Sequence, residues 1–173
     1  MFLHSFIKWS DVMSPMLDDE HFMRLALDVC RRGIDAGQSP FGACIVRHGE
    51  ILALEHNHVR LETDATAHAE VVAIRAACKK TGEIHLPGAT IYATTEPCPM
   101  CFTAIHWARI ERIVYAASIA DAKDSGFNEL TISNDRMRDM GGATLQIVSG
   151  AQVLRDEALR LYDYWRSRGI KPY

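Results

Sequence analysis

The sequence has no apolar stretch near the roughly 20 residues needed to span a bilayer, so no membrane partner is expected. It has no excess of positive charge either. Lys and Arg number 19 against 22 Asp and Glu, a formal net charge of -3. That balance gives no overall attraction for phosphate, and a nucleic-acid partner would need a local basic patch. The densest candidate, Arg155, Arg160, Arg166, Arg168 and Lys171, is interleaved with Asp156, Glu157 and Asp163 and is expected to be a solvated helix face. No repeat or low-complexity tract is present. The five cysteines are odd in number and follow no secretory signal, which argues against a disulfide framework and for the cytoplasm. Cys30, Cys44 and Cys78 lie within apolar patterns, as small buried hydrophobes do.

What is present fits one globular domain. The 173 residues are 48% hydrophobic and 24% charged, enough to bury a core. The short apolar start Met1-Phe2-Leu3-His4-Ser5-Phe6-Ile7 runs at once into Lys8 and Asp11 and lacks a charged region before it, so residues 1–17 are expected to form an arm and residues 18–173 the domain.

Periodicity organises the rest. Asp18 or Asp19 is placed to cap a helix with apolar residues at Phe22, Leu25, Ala26, Val29 and Gly33. Phe41–Val46 and Ile51–Leu54, joined at His48-Gly49, predict a hairpin. Thr66 is the expected cap of a second helix ending near Lys80. Thr90–Thr94, Arg112–Ala116 and Thr144–Val148 predict further strands. Pro99 opens a helix at the position that needs no N–H. A last helix carries Leu154, Ala158, Leu161 and Trp165. The order predicts an α/β fold: a three-layer α/β/α sandwich around a five-stranded mixed sheet.

Two short motifs carry chemistry. His68-Ala69-Glu70 lies at one helix start and Pro97-Cys98-Pro99-Met100-Cys101 at another. Cysteines at i and i+3 share a helix face, and a helix N-terminus favours thiolates. With one imidazole they make three ligands, the number a catalytic zinc site uses while keeping its fourth position open. Alone, the cysteine pair also fits a redox couple or half of a structural zinc site. No second such pair completes a closed site, and His56, His58, His85 and His106 show no standard spacing. Glu70 decides. Residues i and i+2 of a regular helix diverge, so His68 must sit in an irregular first turn if both serve one site. This combination is a known signature of zinc nucleobase deaminases, in which the Glu shuttles protons without ligating the metal.

The sequence resembles the cytidine/deoxycytidylate deaminase superfamily, and within it bacterial guanine deaminases and tRNA adenosine deaminases. The resemblance spans about Phe22 to Glu129 and rests on Pro40-Phe41-Gly42-Ala43, Asn57, Thr66 through Glu70, Glu96 through Cys101, and Ala104 to Arg109. It implies one zinc per chain held by His68, Cys98 and Cys101, with Glu70 as the catalytic base and acid. It implies substrate contacts from Asn57, Ala69, Phe41 and Trp107. Ser125-Gly126-Phe127-Asn128-Glu129 resembles a guanine deaminase stretch whose acid contacts the purine and assists proton transfer, which implies that role for Glu129. The sequence ends at Tyr173, as those enzymes end in a Tyr that enters an active site by exchange between subunits. The expected activity is hydrolysis of guanine to xanthine and ammonia by a homodimer in purine catabolism, with a small-molecule nucleobase as partner. Guanosine, cytosine, aminotriazine and tRNA adenosine deamination are alternatives, as is a non-enzymatic structural zinc module.

Overall fold

The computed structural model describes residues 9–149 and 153–173, with side chains from Asp19 onward. In chain order its elements are α1 (Trp9–Asp35), β1 (Gly42–Arg47), β2 (Glu50–His56), α2 (Val59–Glu62), α3 (Ala69–Thr81), β3 (Ala89–Thr95), α4 (Pro99–Trp107), β4 (Arg112–Ala117), α5 (Ile119–Asp124), α6 (Asn134–Gly141), β5 (Gln146–Val148) and α7 (Arg155–Ser167). The five strands form one sheet in the order β2-β1-β3-β4-β5. β1 is antiparallel to both β2 and β3, whereas β3–β4 and β4–β5 are parallel, so the sheet is mixed as expected. α1 and α7 pack together on one face; α3 and α4 pack together on the other. Among the described residues no helix is long and apolar enough to cross a membrane.

Local chemistry explains the principal turns. His48 and Gly49 have φ of 52° and 79°, the pair of positive values that a two-residue hairpin turn of the favoured twist requires. Gly42, at the start of β1, lies so close to α1 that an added Cβ would overlap the Ala26 carbonyl oxygen. The backbone N–H of Gly42 donates to Thr94 Oγ1 on β3 (3.0 Å), which fixes the approach from the other side. Met23, Cys30, Ile34, Cys44, Ile45, Ile91, Ile113 and Val114 form the centre of the core. Burial pushes the Cys30 and Cys44 thiols up to about 12, as inert core cysteines require.

Two expected helix starts move. α1 begins at Trp9, so the part of the expected arm at residues 9–17 is helical, while residues 1–8 lie outside the described residues. Asp19 therefore sits within a helix and caps nothing. Its carboxylate accepts two hydrogen bonds of 2.6 Å from Arg112 on β4 and one of 2.9 Å from the Tyr92 hydroxyl on β3. Such a bidentate, largely buried pair holds the carboxylate more firmly than a cap would. The second helix starts three residues after Thr66, because the Thr66 hydroxyl and N–H both turn to Asp64 Oδ1 (2.7 and 2.8 Å). The cap position of α3 falls instead to His68.

Candidate active site

Two helix starts converge near the end of β3. His68 caps α3 with φ −64° and ψ 153°, and Cys98 caps α4 with φ −62° and ψ 167°. Both are extended residues. This is the irregular first turn that the His-x-Glu spacing demands. His68 leaves the chain before helical geometry begins, while Glu70 is the second helical residue, so the two can face one site.

His68 Nδ1 lies 3.7 Å from Cys98 Sγ and 3.6 Å from Cys101 Sγ. The ligand atoms of all three residues lie within 4.8 Å of one another. Tetrahedral zinc with ordinary bonds to sulfur and nitrogen separates such ligands by about 3.6 Å. The donor set and its spacing therefore fit zinc.

The sulfurs titrate in opposite directions. A hydrogen bond from Cys101 is the main cause that lowers Cys98 to about 4; His68 and the Cys101 N–H reinforce it against burial. Cys101 is raised well above the usual range by donating that bond, by burial, and by the negative charges of Glu70 and Cys98. A divalent cation favours both thiolates, since a coordinating thiol loses its proton outright. Burial opposes the imidazolium of His68, yet Cys98, Glu70 and Glu129 together raise it.

Glu70 is buried, and its carboxyl is pushed up to about 7, first by burial and then by the Cys98 charge, with His68 pulling the other way. The α3 N-terminus favours the carboxylate, but removal from water outweighs it. An acid near 7 can accept and return a proton at neutral pH.

The structure brings most of the remaining candidates together. Phe41 packs edge-to-face on Phe127, with ring centroids 4.8 Å apart. Phe41, Glu70 and Glu129 line one small cavity with His68 and Cys98. Glu129 is half-buried, and its carboxyl is raised by burial and by Cys98, against His68. Ala69 is fully buried between His68 and Glu70. Asn57 is fully buried; its Oδ1 accepts the Val59 N–H (3.1 Å) and its Nδ2 donates to the Tyr173 hydroxyl (3.0 Å). The tail lies across the site of its own chain, held by a hydrogen bond from Arg60 to the Lys171 carbonyl oxygen (2.5 Å).

Trp107 is not brought to the site. It ends α4, 72% exposed, with its ring beside His106. Cys98 stands at the opposite end of that helix, and nine residues at 1.5 Å each separate the two by about 13 Å. Sequence reasoning missed Thr95 and Glu96, which also line the cavity, and the fully buried Asn134. Glu96 stood beside the Pro-Cys motif as a signal. Asn134 gave none beyond following Ser133 at a helix start.

The sequence profile described as the cytidine and deoxycytidylate deaminase zinc-binding region matches residues 16–117, more than half of the chain. The chain belongs to this family. The family is zinc-binding, and His68, Cys98 and Cys101 are the cluster that could hold the ion; the class of reaction is hydrolytic deamination of a cyclic amidine. The deaminase is a homologue of guanine deaminase of Bacillus subtilis (strain 168), with 39% identity over 152 residues, 87% of this chain and 96% of that protein. The tRNA-specific adenosine deaminase of the same organism is 37% identical over 142 residues, 82% of this chain and 84% of that protein. A structure of guanine deaminase from Nitrosomonas europaea superposes with a TM-score of 0.78 at 28% identity, covering 86% of this chain and 84% of that one.

Proposed function

We propose that this deaminase converts guanine and water into xanthine and ammonia. The observation that carries the proposal is the grouping of buried Glu70 and Asn57, half-buried Glu129 and the partly exposed Tyr173 around the ligand cluster. Likeness to guanine deaminases over most of their length supports it.

The chemistry assigns each residue a task. Zinc held by His68, Cys98 and Cys101 supplies the Lewis acidity that makes water nucleophilic near neutral pH. Glu70 takes a proton from the water as its oxygen bonds to the ring carbon that bears the amine. The displaced π electrons go to a ring nitrogen, which Glu70 protonates. Glu70 next passes the second water proton to the amine. The C–N bond then breaks, ammonia departs, and the carbon is left as a carbonyl. Asn57 offers an amide N–H to the ring edge. Glu129, acceptor-only when ionised, takes hydrogen bonds from ring N–H or the amine. Phe41 forms an apolar wall, and Tyr173 closes the mouth against water.

We further infer a homodimer, the commonest closed assembly, working in the cytoplasm in purine breakdown, with residues 18–173 acting as one domain. A second reading, deamination of tRNA adenosine, is favoured by the likeness to tRNA-specific adenosine deaminases. The net charge of -3 and the tail lying across the mouth weigh against a large polyanion. Xanthine and ammonia formed from guanine in equal amounts is the expected result. Ammonia from a tRNA anticodon arm but none from guanine overturns the substrate.

A further inference from the structure

Glu129 lies in the segment that runs from the start of α5 to the start of α6, and both ends of that segment are tied to one buried carboxylate. Glu96 Oε2 accepts the N–H of Ile119, the first residue of α5 (3.1 Å), and Glu96 Oε1 accepts the N–H of Asn134, the first residue of α6 (2.8 Å). One side chain thus serves the positive ends of two helices at once. The Asn134 amide turns back to donate from Nδ2 to the Pro97 carbonyl oxygen (2.6 Å), directly before Cys98. That orientation is dictated, because only the NH₂ side of an amide can face a carbonyl. Asn134 is fully buried and Glu96 nearly so. The Glu96 N–H continues the β3–β4 pairing by donating to Ala117 (2.7 Å), so the node is built on the sheet rather than on a loop.

We propose that Glu96 and Asn134 are positioning residues. They hold the Glu129 loop in register with the Cys98 ligand loop, and so set the distance between the substrate-binding carboxylate and the reacting centre. The inference rests on the proposed role of Glu129 at the substrate. A node that joins two parts of a site acts only through the parts it joins, and thermodynamic cycles detect that dependence.

The experiment measures kcat and KM for guanine, zinc content and thermal midpoint in the full chain for Asn134→Ala, Glu96→Gln, Glu129→Gln and each double variant. Groups that orient metal-site ligands typically contribute about 10- to 100-fold in activity. Asn134→Ala is expected to lose that much in kcat while keeping one zinc per chain. Glu96→Gln, which sacrifices one of the two accepted bonds, is expected to lose less. In the Glu129→Gln background each is expected to lose no more than about twofold further. Losses that multiply, a wild-type kcat in Asn134→Ala, or zinc loss as its sole defect overturn the proposal. So does failure of both single variants to fold. A wild-type rate in Glu129→Gln alone instead shows that the role given to Glu129 is wrong, and that result is read before any cycle is closed.

Discussion

The hydroxyl of Tyr173 lies 3.0 Å from Asn57 Nδ2 and 3.5 Å from His68 Nε2. The final residue therefore stands between the buried Asn57 amide and a residue of the metal-ligand cluster. The space left beside Glu70 and Glu129 is about 10 Å³, scarcely room for a water molecule. On the proposed function, guanine needs the tail to move aside, and the tail is placed to close over it.

Removing Lys171, Pro172 and Tyr173 should therefore lower kcat for guanine at least about tenfold, equal to about 1.4 kcal/mol of transition-state stabilisation. Zinc content and the thermal transition should stay unchanged. Steady-state assays with the truncated chain check this, and unimpaired kcat would reduce the tail to packing.

Glu70→Gln keeps the shape of the side chain and loses its ability to take a proton. Positioned acid–base groups contribute about 100- to 10,000-fold in rate, and a loss of at least that lower figure is expected with zinc still bound. Near-normal turnover would leave Glu70 as a helix-end charge only.

Cys98→Ala with Cys101→Ala removes both sulfur ligands from a site whose spacing fits tetrahedral zinc. Elemental analysis should find one zinc per chain in the parent and none in this variant. Undiminished zinc would move the metal elsewhere.

Asp19→Ala leaves the Arg112 guanidinium without its bidentate partner and the Tyr92 hydroxyl without its acceptor. Breaking one side of a buried pair typically costs about 3–5 kcal/mol; with Arg112 partly exposed, the lower end is expected. Urea unfolding measures it, and the metal site should be unaffected in the folded variant.

The sequence was most informative where chemistry is local. His68, Glu70, Cys98 and Cys101 lie in two short motifs, and the helix starts that bring them together are announced by Pro99 and by the spacing itself. The hairpin at His48-Gly49 was equally legible, because positive φ at a glycine is a property of a few adjacent residues. Partnerships that cross the chain left no such trace. Asp19 meets Arg112 across 93 positions and Asn134 meets Pro97 across 37, and no spacing rule connects them. Asp19 was misread as a cap because an acid before an apolar stripe looks the same whether or not a guanidinium waits opposite it. The placing of Trp107 was equally out of reach of local rules: within this chain α4 carries the residue to the helix end opposite Cys98.

The central claim, that this family site is tuned to guanine, is tested most directly by kcat/KM for ammonia release across guanine, guanosine, cytosine, adenosine, ammeline and a tRNA anticodon arm. A site with buried polar groups matched to one ring edge discriminates against analogues that leave them unpaired, by about 10,000-fold or more at its strongest. The account predicts guanine highest, with xanthine formed one for one with ammonia and activity abolished by Glu70→Gln. Efficient turnover of cytosine, guanosine or the anticodon arm, with no ammonia from guanine, would contradict it.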